Sequence, residues 1–301
     1  MTREELNEDK QKEIFKEENK KKTKIIVKKV FKIFIIFMIL FYSFNLYTTY
    51  ISEGSYIVKE KRIVNNKIPT SFYGTKIIHF SDLHYGSNIT LKETKKIVKL
   101  INSRNPDLVF FTGDLIDKDY KLDSKEQEKI IKELKKINAS LGKYAVIGDE
   151  DSDNFSTILN QSDFVVLNNE YELIYNNTND AILLSGFSTN IDVNKALDYF
   201  NIDTSNSNIY SIGLIHIPDN TDDILDVHGM DLLLAGHSHN GDIKIPYIGP
   251  IIKKDGAKKY NDEYYKVNNT LLYISSGIGT KNNSVRLFCR PSINFFRLSN
   301  S

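Results

Sequence analysis

Residues 76–84 read Lys76-Ile77-Ile78-His79-Phe80-Ser81-Asp82-Leu83-His84. The first five form a short apolar run of the kind that makes a buried strand, and the run ends in a carboxylate and an imidazole two positions apart. The same punctuation recurs three times. Leu108–Thr112 leads into Gly113-Asp114, Ile209–Ile215 into His216, and Leu232–Ala235 into Gly236-His237-Ser238-His239. Helical repeats separate the first strands. Residues 90–101 place Leu91, Ile97, Val98, Leu100 and Ile101 on a helical spacing, and residues 124–137, with Ser124 as N-cap, place Ile130, Ile131, Leu134 and Ile137 on one face. Strands alternating with helices predict an α/β fold, in which strand C-termini converge on a crevice where ligands bind.

Each motif alone is a weak signal. A His pair in a glycine-flanked loop is often surface decoration, and an Asp after a strand is often only a cap. Four strand ends in one chain, each carrying a hard or borderline metal ligand, are far less probable by chance. Asp82, His84, Asp114, His216, His237 and His239 are enough for two ions if one carboxylate bridges. His79 lies mid-strand, on the alternate face from the ligands, and reads as a packed residue. His228 precedes Gly229 and reads as a solvated turn residue. Cys289, the single cysteine, reads as a small core residue and excludes any internal disulfide.

The rest of the chain has a mixed texture. A strand is expected at Ser55–Lys61, a turn near Pro69 and a strand at Tyr144–Ile147. Phe164–Leu167, Tyr171–Tyr175 and Ala181–Gly186 are separated by Asn-rich turns and suggest hairpins. Val193–Tyr199 reads as helical, and Ser292–Leu298 as a last edge strand.

Composition is that of a folded protein, 41% hydrophobic and 26% charged, and the net charge of +1 carries no general argument for a nucleic-acid partner. The N-terminal region departs from this. Residues 1–32 form a polar tail that becomes basic, with seven lysines and no acid between Lys20 and Lys32. Residues 33–51 then run without a charge for 19 residues, about 28 Å as a helix at about 1.5 Å per residue, close to a bilayer core. A buried core helix would show an amphipathic stripe, and a cleaved signal peptide would show a small-residue cleavage site. The reading is a retained signal anchor with Tyr42, Tyr47 and Tyr50 near one interface. The lysine cluster places the N-terminus in the cytoplasm and the rest outside the cell membrane, as a single-pass protein. Residues 52–75 follow as a connector, and residues 76–301 as the main domain.

The order Asp-x-His, Gly-Asp, a Gly-led block at 148–151, His and Gly-His-x-His resembles the signature of the calcineurin-like metallophosphoesterases, from about Lys76 to Leu298. The tail, with Gly277-Ile278-Gly279-Thr280, Arg286 and Arg290-Pro291, is similar to a bacterial membrane-anchored or exported branch. That branch includes enzymes acting on UDP-2,3-diacylglucosamine and phosphoesterases of the cell wall. The resemblance implies a four-layer αββα sandwich and two divalent metal ions (Mn, Fe or Zn). It implies Asp82, His84 and His239 on the first ion, His216, His237 and Asp149 on the second, and Asp114 bridging. The implied reaction is hydrolysis of a phosphomonoester or phosphodiester by in-line attack of a hydroxide between the metals, with Asp114, Asp149 and Glu150 at catalytic positions. The substrate expected from the anchor is at the membrane surface and lipid-linked.

Gly148-Asp149-Glu150-Asp151 departs from the family's Gly-Asn-His-Asp/Glu. Asp149 can ligate where the family has Asn. Glu150 stands where the family has a proton-donating His, and three readings are open for it. It turns away and leaves the proton to water or a good leaving group; it adds a ligand or base; or it marks a catalytically weak metal-binding scaffold on the same fold. Asn240 and Asp242 are expected to shape the substrate mouth.

Overall fold

The computed structural model describes residues 3–46, 56–152, 154–196, 208–227, 229–245, 247–251, 253–281 and 286–300. The chain divides into two units, Met1–Ile51 and Ser52–Ser301.

The first unit is one helix, α1 (Arg3–Leu46), with apolar side chains such as Ile33, Phe37 and Leu40 exposed along it. Among the described residues no helix is long and apolar enough to cross a membrane. The uncharged part of α1 that is described, 33–46, spans 14 residues, about 21 Å at the rise of an α-helix. Residues 47–51 of the expected span lie outside the described residues. The helical half of that expectation is therefore present, and the membrane-spanning half is not established by the fold.

Among the described residues the second unit is built on two six-stranded mixed sheets. The strands in chain order are β1 (Ile57–Val64), β2 (Lys76–Phe80), β3 (Leu108–Thr112), β4 (Gly142–Val146), β5 (Val165–Val166), β6 (Glu170–Tyr175), β7 (Ala181–Gly186), β8 (Tyr210–Leu214), β9 (Leu232–Ala235), β10 (Lys244–Ile245), β11 (Gly249–Pro250), β12 (Tyr264–Val267), β13 (Thr270–Ile274) and β14 (Ser292–Ser299). The first sheet runs β1-β14-β2-β3-β4-β5 and the second β12-β13-β9-β8-β7-β6, with β10 and β11 forming a separate two-stranded ribbon. The longer helices are α2 (Leu91–Asn102), α3 (Ser124–Leu134) and α4 (Asn154–Gln161), and two short ones are α5 (Val193–Ala196) and α6 (Thr221–Val227).

The layering follows from strand alternation, because successive side chains point to opposite faces. In the first sheet Ile78, Phe80, Val109, Phe111 and Ala145 face α2, α3 and α4 in one core cluster. Their alternates Ile77, Leu108, Phe110, Tyr144 and Val146 face Ile182, Leu184, Ile212, Leu214, Leu232 and Leu234 of the second sheet. Leu233, Ala235, Leu272 and Ile274 on the far face meet Ala196 of α5 and Ile224 of α6. Helices, sheet, sheet and helices make four layers.

Several local expectations are corrected. The N-cap of α3 is Asp123, whose carboxylate accepts from the amide of Glu126, so Ser124 is the first helical residue. Ser292–Ser299 is not an edge strand: it pairs parallel with β1 and antiparallel with β2, and β1 takes the edge. Of the expected hairpins, only β6–β7 forms; β5 joins the other sheet, parallel to β4. The helix expected at 193–199 is described only to Ala196, and His228 lies outside the described residues.

Phe110 is fully buried between the sheets, its ring centroid 6.2 Å from that of Tyr144. Phe110→Ala is expected to lower the unfolding free energy by about 3–5 kcal/mol in urea titration, as large-to-small changes in a close-packed core do. A cost under about 1 kcal/mol would contradict a tightly packed inter-sheet layer.

Candidate metal centre

Five loops meet at one end of the two sheets. Three leave the C-terminal ends of β2, β3 and β4 and carry Asp82 and His84, Asp114, and Asp149 to Asp151. Two leave β8 and β9 and carry His216, and His237 and His239. The approach is close. A Cβ on Gly113 would lie 2.6 Å from His216 Nδ1, one on Gly148 would lie 2.2 Å from Asp114 Oδ1, and one on Gly236 would lie 2.8 Å from the Thr112 carbonyl. Glycine at 113 and 236 lets loops of the two sheets touch, and glycine at 148 lets the β4 loop pack on the β3 loop.

The backbone bends sharply at the functional residues. Asp82, His84, Asp114, His237 and His239 all have positive φ, between 43° and 62°, a region that costs non-glycine residues roughly 1–2 kcal/mol each. Such strain persists only where surrounding structure over-determines it, and it gathers at functional sites.

Among the described residues the side chains form two groups that share no member, and Asp114 overlaps both, grouping with Asp82 and His216 and with His84 and Glu150. Asp82, His84 and His239 make one, and Asp149, His216 and His237 the other, with ligand-capable atoms within 4.8 Å of one another in each. His239 Nε2 lies 3.2 Å from His84 Nε2 and 3.2 Å from Asp82 Oδ1. Asp149 Oδ1 lies 2.9 Å from both His216 Nε2 and His237 Nδ1. Asp114 stands between the groups, its Oδ2 3.6 Å from His84 Nε2 and 3.4 Å from His216 Nε2. Donors about 2.0–2.1 Å from a shared ion at tetrahedral angles would be about 3.3 Å apart, so these spacings suit ions of that size. Among the described residues, buried His216 Nε2 makes no hydrogen bond of ordinary geometry despite its 2.9 Å approach to Asp149. It faces the carboxylates of Asp149 and Asp114. Nitrogen and carboxylate donors together suit borderline divalent ions, and the residues present therefore fit a pair of them.

Electrostatics point the same way. Burial pushes the Asp82 carboxyl up, but His239, His216 and His84 prevail and hold it well below the usual carboxylate range. Burial also opposes charge on His216, yet Asp114, Asp149 and Asp82 raise it well above an ordinary imidazole. Protein cations alone satisfy these carboxylates only by protonating a fully buried ring. A charged, fully buried imidazole among carboxylates is costly, and further positive charge at the site would relieve it.

The sequence-derived ligands are thus all brought together. Glu150 also turns into the cluster, with Oε2 3.8 Å from His84 Nδ1, and it does not turn away. Asn240 and Asp242 are buried and do not line a mouth; Asp242 Oδ1 accepts from His239 Nδ1 at 3.1 Å. His79 is packed as expected, bonded to Thr112 Oγ1, and burial lowers its ring to about 3. Cys289 is buried, with Sγ donating to the His239 carbonyl at 3.0 Å.

Sequence reasoning missed Asp151 as a positioning group. Its carboxylate accepts the amides of Asp114 (2.8 Å), Leu115 (2.7 Å) and Gly148 (2.8 Å), tying the β3 loop to the β4 loop. Its place in the Gly-Asp-Glu-Asp block was the only signal. Arg286, noted in sequence, is fully buried and donates to the carbonyls of Ser276 and Gly279. It shapes the loop whose Ile278 and Gly279 amides reach the Asp82 carbonyl.

Residues 75–241 match the family model described as calcineurin-like phosphoesterase. The chain is 30% identical over 261 residues to the metallophosphoesterase YkuE of Bacillus subtilis, covering 85% of this chain and 90% of that protein. It is 24% identical to the UDP-2,3-diacylglucosamine pyrophosphatase LpxG of Chlamydia muridarum, over 77% and 86% of the two chains. It is 23% identical to the phosphodiesterase YaeI of Escherichia coli, over 74% and 82%.

Asp151→Asn replaces one acceptor oxygen with a donor facing backbone amides. It is expected to cost about 1–3 kcal/mol in urea titration and to reduce bound metal by displacing Asp114. Wild-type stability together with wild-type metal content would show that the tie between the loops is idle.

Proposed function

The chain belongs to the calcineurin-like phosphoesterase family and is a phosphoesterase hydrolase, and we propose that it uses two divalent ions at the outer face of a bacterial membrane. The carrying observation is the pair of adjoining donor groups with Asp114 between them. In this reading Asp82, His84 and His239 hold one ion, Asp149, His216 and His237 the other, and Asp114 is shared. When bound, such ions supply Lewis-acid polarisation of phosphoryl oxygens and lower the pKa of coordinated water toward neutrality.

The protein's part is to fix these donors before substrate arrives. The side chains of Asp82, His84, Asp114, His216 and His239 are at most 4% exposed, so bulk water does not compete for them. Asp149, at 37%, and His237, at 12%, mark the open side. A phosphate ester enters there, with Asp149 and His237 at the entrance and the buried donors behind. Strained backbone and interlocked loops keep the donors from relaxing, so little reorganisation is needed at the moment of reaction.

The membrane placement is supported by the lysine cluster and the uncharged run that begins at Ile33. A lipid-linked phosphate or diphosphate substrate is supported by that placement and by the UDP-2,3-diacylglucosamine in the name of the Chlamydia relative. A metal-binding scaffold without turnover is the alternative, and it rests on Glu150.

The full-length chain in detergent, loaded with Mn, is expected to bind two equivalents and to hydrolyse bis-p-nitrophenyl phosphate. Asp114→Ala should lower the rate by roughly 10²–10³-fold or more. Metal binding without hydrolysis of any phosphate ester would favour the scaffold. For topology, a reporter that works only outside the cell, fused after Ser301, should be active; activity of a reporter restricted to the cytoplasm would overturn the placement.

A further inference from the structure

Three of the four cluster histidines hand their outward nitrogen to an acceptor. His216 Nδ1 donates to the Thr112 carbonyl at 2.6 Å, His237 Nε2 to the Asp255 carbonyl at 2.6 Å, and His239 Nδ1 to Asp242 Oδ1 at 3.1 Å. Each bond holds the proton on the outward nitrogen and leaves the inward lone pair for the cluster. His84 is the fourth. Its Nε2 faces His239 and Asp114, and its outward Nδ1 is buried with no hydrogen-bond partner among the described residues. Glu150 Oε2 is likewise buried with no hydrogen bond among the described residues, and the two atoms lie 3.8 Å apart. Buried polar groups are rarely left unpaired, and here two unpaired atoms of complementary chemistry are neighbours.

Glu150 is held for this task from both ends. Its backbone amide donates to Asp114 Oδ1 at 3.1 Å, and its other oxygen, Oε1, is ion-paired with Lys281 Nζ. Its side chain also borders a cleft of about 110 Å³ with Ile116, Asp117 and Tyr120, and a side-chain rotation that moves Oε2 by a few tenths of an ångström would bring it to hydrogen-bond distance from His84 Nδ1. We propose that Glu150 is a positioning residue. Its carboxylate accepts the Nδ1 proton of His84 and so directs Nε2 into the first metal group, while Lys281 neutralises the carboxylate beside an anionic substrate. The proposal rests on the two-metal reading of the site. It also gives the Glu at this position a use other than proton donation. A carboxylate already accepting from His84 and Lys281 has no proton to give, so the leaving group must be a good one or take its proton from water.

The test compares Glu150→Met, which fills the space without an acceptor, with Glu150→Gln, which keeps an acceptor oxygen. Both are made in the full-length chain, with Mn binding followed by titration calorimetry and metal analysis. In Glu150→Met one of the two ions is expected to bind about 10–100-fold more weakly while the other is unchanged, the usual effect of losing such an outer partner. Glu150→Gln should retain most of that affinity. Lys281→Met should keep both ions and weaken inorganic phosphate binding. Wild-type affinity for both ions in Glu150→Met overturns the proposal. So does a large fall in Glu150→Gln turnover whose residual activity lacks the alkaline limb of the wild-type pH profile, which would make Glu150 the acid. Equal weakening of both ions, with a lowered melting temperature, would reduce Glu150 to a structural residue and also overturn it. Failure of the wild-type chain to bind Mn would instead count against the two-metal reading itself.

Discussion

Asp114 sits where the two sheets touch, and the rest of the site is arranged around its carboxylate. One oxygen accepts the Glu150 amide, and the other lies between His84 of the first sheet and His216 of the second. Its own amide is anchored by Asp151. A buried carboxylate in such a place is costly unless positive charge or donors surround it on all sides. That constraint explains the glycines at 113 and 148, since a Cβ at either would strike the opposing loop. It explains the run of positive φ values as well, because short loops turn back on the strand ends to bring donors to one point.

The layers serve this convergence. The inter-sheet core from Phe110 to Leu234, apolar apart from the hydroxyls of Tyr144 and Tyr210, locks the sheets in one relative position. The loops above it can then be strained without collapsing, since stability comes from burial below and not from the loops themselves. The histidines add precision. Each needs one nitrogen inward, and the fold assigns the outward nitrogens to two carbonyls, Asp242 and, by proposal, Glu150. Glu150 is thus read as part of the support of the metal site, and its departure from the family pattern carries a chemical meaning beyond the absence of a histidine.

Much of this was legible in the sequence. The strand-end motifs at Asp82, Asp114, His216 and His237 could be read because short apolar runs and the ligands after them are local patterns. The alternation that buries Ile77 on one face and Ile78 on the other is local too. What was misread was nonlocal. Ser292–Ser299 looks like an edge strand because nothing in it announces that β1 will pair on its outer side. β5 looks like a hairpin partner of β6 because sequence proximity does not say which sheet a two-residue strand joins. Asp242 looked like a mouth residue until the turn at Asn240 brought it behind His239.

The sequence by itself determined the family, the order of the strands' functional ends and the residue types that can bind a divalent ion, because these depend on chemistry carried by short segments. Only the tertiary structure decided which nitrogen of each histidine faces inward, that Asp151 ties two loops together, and that Glu150 faces His84 with Lys281 behind it. Those facts depend on atoms far apart in the chain, several of them backbone carbonyls such as those of Thr112 and Asp255. A carbonyl is present at every residue, so no sequence pattern can mark the one that will accept a particular proton.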